Sequence, residues 1–252
     1  MIISEPNSDH IPALRQLWKA AFGDGDDFLD MFYSTAYAPW RCRCILDEDR
    51  VAATLYWFDC LCEGQKLAYI YAVATDPSYR NQGLCRRLMD DTAAHLKNLG
   101  YAGAMLLPQS EGLRQMYGKM GYVPCTDIGA ITCAAAGEPL ELIELTAETY
   151  AALRKTTLPP GSVIQEGENL SYLAGFAKFY QGPDFLAVAI REEDHAICYE
   201  FLGDLTKAPP FLQTLGVKSG VIRHPGHDIP FAMYTPFMPN CPNPEYFAFA
   251  FD

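Results

Sequence analysis

Tyr71-Ala72-Val73-Ala74-Thr75-Asp76-Pro77-Ser78-Tyr79-Arg80-Asn81-Gln82-Gly83-Leu84-Cys85 contains the change of period on which the fold turns. Up to Thr75 the residues are those of a buried strand. From Leu84 the apolar positions become Leu84, Leu88, Met89, Ala93, Leu96 and Leu99, the spacing of a helix of about four turns. At such a strand–loop–helix junction the first backbone N–H groups of the helix have no internal partner and point outward. With the helix dipole they form a site for an anion such as phosphate. Gly83 permits a close approach of ligand oxygen to backbone, or a positive φ, and Arg80 puts a guanidinium beside the same spot. The chain has no Gly-Lys-Ser/Thr ending and no G-x-G-x-x-G after a strand, so two common phosphate loops are excluded.

Upstream, Met1 to Ser4 reads as a short strand, and Ser8 or Asp9 offers a helix cap with Pro12 in the first turn. Ile11, Leu14, Leu17, Trp18, Ala21 and Phe22 form one helix face. The acidic stretch Gly23 to Asp30 opens a second helix that ends near Tyr37. Three strands follow, Arg41 to Leu46, Val51 to Cys62 and Leu67 to Thr75, joined by the turns Asp47 to Arg50 and Glu63-Gly64-Gln65. Downstream of the long helix, Gly100 is the stop and Ala102 to Leu107 a buried strand. Ser110 caps a short helix bearing Leu113, Met116 and Tyr117, closed by Gly121, and another strand starts at Tyr122. This order predicts an α/β (α+β) fold on a mixed, mostly antiparallel sheet.

The 252 residues carry 19 Lys and Arg against 31 Asp and Glu, a net charge of −12. Such a field repels nucleic-acid backbones and anionic lipid and favours cationic small molecules. No apolar run approaches the length of a membrane span, and no basic start precedes an apolar stretch as in a signal peptide. The nine cysteines, an odd number, are expected as reduced thiols in a cytoplasmic protein. A zinc site from Cys42-x-Cys44 and Cys60-x-Cys62 is disfavoured by geometry. The turn at Asp47 to Arg50 pairs Cys44 near Ala53 and Cys42 near Leu55, which carries Cys60 and Cys62 well past the other pair. Alternation explains each pair as two residues on one strand face. No metal is expected, and His224-Pro225-Gly226-His227 reads as a loop.

Composition shifts near Gly137-Glu138-Pro139. Twelve of the eighteen prolines lie beyond Ala136, and that part carries −8 against −4 for the first. The expected domains are therefore 1–136 and 137–252. The second contains a faint echo of the opening: a strand at Leu140 to Leu145, a cap at Thr146, and a helix face from Tyr150 and Leu153. Phe185 to Ile190 and Ala196 to Leu202 flank the turn Arg191 to His195 as a hairpin. Val221-Ile222, Phe231 to Tyr234 and Tyr246 to Phe251 are further strands. The pattern suggests a diverged duplicate.

Arg80-x-x-Gly83-x-Cys85 resembles the R/Q-x-x-G-x-G/A pyrophosphate loop of the GNAT acyltransferase superfamily, and Val73-Ala74-Thr75-Asp76-Pro77-x-Tyr79-Arg80 resembles the strand that leads into it. Leu106-Leu107-Pro108-x-Ser110-Glu111 and Tyr117-Gly118-Lys119-Met120-Gly121-Tyr122 are similar to the family's later strand and its Y-x-x-x-G-F/Y helix end. The resemblance covers about Met1 to Ala130. It implies a GNAT acyl-CoA N-acyltransferase fold followed by a smaller degenerate GNAT-like domain without the loop. Cys85 stands where Gly or Ala is usual, and Asn81 where Gly is common.

The resemblance implies acetyl-CoA as co-substrate. Val73, Ala74 and Thr75 would meet the pantetheine arm beside a splay in the sheet. Arg80, Asn81, Gln82, Gly83, Leu84 and Cys85 would hold the pyrophosphate, and Ser110 would contact the arm. A protonated amine of reference pKa about 10.4 cannot attack a carbonyl, so a base is needed. A backbone N–H near Val73 would steady the tetrahedral intermediate, and Tyr117 is the expected general acid for the departing thiolate. For the base, Glu111, Asp59 and the carboxylate of Asp252 stay open. Asp24-Gly25-Asp26-Asp27 would supply a negative rim that draws cationic acceptors. The implied activity is acetyl transfer to an amine of a small molecule or peptide. The rival readings are transfer of a longer acyl or aminoacyl group and a non-catalytic acyl-CoA sensor.

Overall fold

The computed structural model describes residues 1–48 and 50–251. Its first strands are β1 (Ile2–Ser4), β2 (Cys42–Asp47), β3 (Arg50–Cys62), β4 (Gln65–Thr75), β5 (Gly103–Leu106), β6 (Val123–Pro124) and β7 (Asp127–Ala134). They are followed by β8 (Ile143–Leu145), β9 (Ile164–Gln165), β10 (Lys178–Gly182), β11 (Phe185–Glu192), β12 (His195–Gly203), β13 (Ser219–Pro230) and β14 (Met233–Pro236). The helices are α1 (Ile11–Phe22), α2 (Asp26–Thr35), α3 (Leu84–Asn98), α4 (Glu111–Gly118), α5 (Ala147–Thr157), α6 (Glu168–Leu173) and α7 (Ala208–Leu215). No helix among the described residues is long and apolar enough to cross a membrane.

The chain forms two units. One gathers Met1–Cys60, Gly64–Val123 and Met233–Cys241, and the other is built mainly on Pro124–Ala232. In the first, the sheet runs β1-β2-β3-β4-β5-β14-β6. β4 and β5 are parallel, whereas β1/β2, β2/β3 and β5/β14 are antiparallel. Alternation along the strands sorts the side chains onto two faces. Ala53, Leu55 and Trp57 of β3 with Ala68 and Ile70 of β4 join Leu84, Leu88, Met89 and Leu96 of α3 in one core. The other face is aromatic. The Trp18 ring of α1 lies 4.7 Å from Phe32, 5.2 Å from Tyr56 and 5.6 Å from Tyr71. Each such side chain contributes about 1.5–3 kcal/mol by leaving water.

The second sheet runs β7-β13-β12-β11-β10-β8, with β12 and β13 parallel and the remaining pairs antiparallel. It repeats the first: strand β8, helices α5 and α6, a three-stranded meander β10-β11-β12, helix α7, then a parallel β13. A second GNAT-like sheet is thus present. The composition shift at 136/137 does not divide the sheets, because β7, which precedes it, pairs with β13 from Ser219↔Ala134 to Pro230↔Asp127. Reciprocally, β14 leaves the C-terminal half and pairs with β5.

Several local expectations are corrected. Asn7, not Ser8 or Asp9, caps the first turn, its side chain accepting from Asp9 N at 3.0 Å. Cys44 pairs with Thr54 and Cys42 with Tyr56, because a bulge between Ile45 and Leu46 shifts the register by one. All nine cysteines are free thiols. His224 to His227 lie inside β13, where a register break between His224 and Ile229 absorbs Pro225. Tyr246 to Phe251 is buried but is not a strand beyond one bridge from Tyr246 to Ser162. Its backbone is held by a side chain instead: Gln165 donates to Phe249 O at 2.8 Å and accepts from Phe249 N at 3.0 Å.

On α5, Arg154 is buried with Tyr150. The Arg154 guanidinium grips Glu200 of β12 through Nε at 2.7 Å and Nη2 at 2.9 Å, and Tyr150 donates to the same carboxylate at 2.6 Å. Arg154 also lies 4.5 Å over the Phe249 ring. Burial opposes the guanidinium charge, but the adjacent Glu200 outweighs it and holds Arg154 protonated.

Candidate functional site

β4 and β5 pair only from Leu67↔Gly103 to Tyr69↔Met105. Beyond Tyr69 the β4/β5 ladder ends, and β4 continues to Thr75. Within that stretch Ala72 adopts φ +48°, a left-handed conformation that costs an alanine about 1–2 kcal/mol. Past it the chain is held to β3, Asp76 N donating to Ala52 O at 2.9 Å. Val73 and Thr75 are half-buried and Ala74 is buried.

The loop is built from short-range bonds. Asp76 accepts from Ser78 N at 2.8 Å, and the Ser78 hydroxyl and backbone hold its carboxyl below the usual range. Tyr79 donates to Asp47 at 2.8 Å, and Arg80 Nε donates to Thr75 O at 3.3 Å. Asn81 (φ +62°) and Gly83 (φ +75°) then turn the chain into α3. Gly83 is the N-cap and offers no side chain, so the amides of Leu84, Cys85 and Arg86 are left open, and the first intrahelical bond is Arg87 N to Gly83 O at 3.0 Å. α1, α3 and α7 place no acidic residue in the first turn, and of these α3 carries Arg86 and Arg87 there. This is the arrangement of a helix end that receives an external anion. Cys85 is half-buried, and burial pushes its thiol pKa up, so it stays neutral beside that anion.

Ser110 caps α4, its Oγ accepting from Leu113 N at 3.2 Å. In the last turn of α4, Tyr117 is buried in the same core that Val73, Cys85, Leu113 and Met116 pack against. Burial, and secondarily Cys85, keep its phenol protonated far above neutral pH. Its hydroxyl has no hydrogen-bond partner among the described residues. The structure therefore brings the end of β4, the start of α3 and Tyr117 together.

Other sequence candidates lie apart. Asp59 accepts a bond from Tyr101, which just precedes β5 at the closed, paired end of the β4/β5 ladder. Glu111 is exposed, bonded by Gln115 Nε2 at 3.3 Å and 3.9 Å from Arg114. Asp252 lies outside the described residues. The acidic rim between α1 and α2 is largely spent on internal contacts: Asp24 accepts from Trp18 Nε1 at 2.7 Å, Asp26 meets Lys19 at 2.5 Å and Arg15 at 3.1 Å, and Asp30 meets Arg15 at 2.7 Å. The sequence did not disclose the positive φ of Ala72, since alanine has no left-handed preference, nor the flanking of β5 by β14.

Sheet order, splayed parallel pair and uncapped helix end together are those of the GNAT fold. Residues 3–125 match the family model Acetyltransferase (GNAT) domain. Through this segment, a little under half of the chain, the sequence is similar to the GNAT acetyltransferases. No protein of curated function matches it in sequence. Solved structures are similar in fold. A GCN5-related N-acetyltransferase from Anabaena variabilis gives a TM-score of 0.77 at 14% identity, covering 94% of this chain and 73% of that one. One from Kribbella flavida gives 0.69 at 14%, covering 92% and 70%. Eis1 from Mycobacterium abscessus gives 0.66 at 11%, covering 94% and 74%.

Proposed function

We propose that the first unit transfers the acetyl group of acetyl-CoA to an amine of a small molecule or peptide. The observation that carries this reading is the open N-terminus of α3 behind Gly83, set beside the part of β4 that runs on past its ladder with β5. The diphosphate would take the amides of Leu84, Cys85 and Arg86, with Arg80 and Gln82 at its rim. The pantetheine arm would lie along Val73, Ala74 and Thr75, and Ser110 would meet it from the end of β5. A backbone N–H beside Ala72, where φ is +48°, would steady the oxygen of the tetrahedral intermediate. Tyr117, kept protonated by burial, would donate to the departing thiolate. A phenol this weakly acidic acts chiefly by hydrogen bonding, and solvent completes the protonation.

The net charge of −12 supports a cationic acceptor through long-range steering. The α1–α2 carboxylates add little, being paired internally. Only the free amine attacks, so kcat/KM should rise about tenfold per pH unit below the amine's pKa. The test is calorimetric titration with acetyl-CoA, followed by thiol release against a panel of amines. Gly83→Trp should weaken acetyl-CoA binding at least about tenfold, or 1.4 kcal/mol. Unaltered affinity in that variant refutes the anion corner, and binding without thiol release would make the unit a sensor.

A further inference from the structure

The second sheet contains its own splay. β12 and β13 pair in parallel only from His195↔Ser219 to Cys198↔Ile222. Beyond that, β12 stays with β11 as far as Gly203, and β13 stays with β7 as far as Pro230. The gap between them opens into a cavity of about 270 Å³. Phe201, Leu202 and Gly203 line it from β12, His224 and Pro225 from β13, and Leu205, Thr157 and Pro159 complete it.

We propose that this cavity is a second ligand site, for a small uncharged molecule that carries amide groups and lies extended between β12 and β13. The inference does not depend on the chemistry assigned to the first unit. Three observations carry it. The β12/β13 ladder ends at Cys198↔Ile222 while both strands run on, and an extended amide can offer both N–H and C=O to strand edges that have parted, as in strand addition. The walls are mostly apolar side chains, which disfavour a charged occupant. The volume is below the roughly 300–1,000 Å³ of sites for larger ligands, so the molecule is small.

The turn after β12 rejects phosphate, unlike the one after β4. Asp204 occupies it, its carboxylate accepting from Thr206 N at 3.0 Å and lying below the usual range because the Thr206 hydroxyl and amide hold it ionised. α7 then opens on Ala208-Pro209-Pro210, two of which have no N–H to offer. The second cleft thus retains the gap that would take an amide arm and lacks the anion-binding helix end. On β13, His224 Nδ1 lies 2.8 Å from Pro225 O, which can only accept, so Nδ1 carries a proton and donates to that carbonyl.

Hydrogen exchange on the full chain, read by mass spectrometry with pantetheine as probe, tests this. Pantetheine at about ten times its Kd should slow the amides of residues 199–205 and 222–226 roughly tenfold, and presaturation with CoA should leave that slowing in place. Thr157→Trp, at an exposed position on the rim, should abolish it, whereas Ala152→Trp, exposed on the same helix and outside the cavity lining, should not. Wild-type protein that shows no slowing at these residues overturns the proposal without recourse to either variant. Equal slowing in Thr157→Trp places the ligand elsewhere, and slowing of the same residues by CoA alone refutes the uncharged class.

Discussion

Ala72 and Gly83, at φ +48° and +75°, stand at either end of the segment that shapes the cleft, and only one of them is legible. A glycine before a helical repeat announces a left-handed cap. An alanine in a run of strand formers announces nothing, because its φ is imposed by the sheet around it. Ala72→Gly relieves the steric cost while adding chain entropy to the unfolded state. It should raise stability by about 0.5–1 kcal/mol, read from the urea midpoint. At Gly83 a Cβ would meet no atom within 4 Å, so Gly83→Trp should fold, at a cost of about 1–2 kcal/mol for its φ. Tyr117→Phe removes a hydroxyl that no described residue engages. If it serves the leaving thiolate, kcat should fall about a hundredfold with KM for acetyl-CoA unaltered. The role of Tyr117 was visible in the chain only through the motif at 117–122, since its spacing with Leu113 and Met116 is equally that of a core residue.

At the scale of elements, the meander and α3 follow from periodicity, and their limits fall within a few residues of those expected. One misreading concerns a segment whose backbone is satisfied by something other than a ladder. Tyr246 to Phe251 has the composition of a strand, yet Gln165 supplies its bonds from a distant position, and nothing local signals that. The same holds for Arg154, a cation at a buried helix position that makes sense only once Glu200 is placed beside it. Glu200→Gln would leave the Arg154 charge buried and unpaired. It should cost about 3–5 kcal/mol in denaturant unfolding, whereas the double change to Glu200→Leu and Arg154→Met should cost much less. Equal losses in the two proteins would show that packing, not charge pairing, dominates there.

Across the whole molecule, composition marked two parts but misplaced the seam. The proline and charge shift at Gly137 records where the sequence character changes. Sheet membership is decided by pairing, and pairing sends β7 forward into the second sheet and β14 back into the first. Periodicity found both strands and could not say whom they pair with, because partner choice is non-local. A chain ended after residue 136 should therefore misbehave despite containing every residue of the proposed acetyl-CoA corner. It lacks the strand that flanks β5 and carries β7 with no partner, leaving unpaired edges that promote aggregation. Gel filtration of the truncated chain should show aggregates; a well-behaved monomer that binds acetyl-CoA would contradict this.

The exchange of those two strands also orders events during synthesis. An emerging polypeptide ordinarily settles its leading portion while the remainder is still being translated. Here the leading sheet stays incomplete until Met233–Pro236 has left the ribosome. The first sheet must therefore wait for a strand made after most of the second, and in the interval the growing protein depends on chaperones.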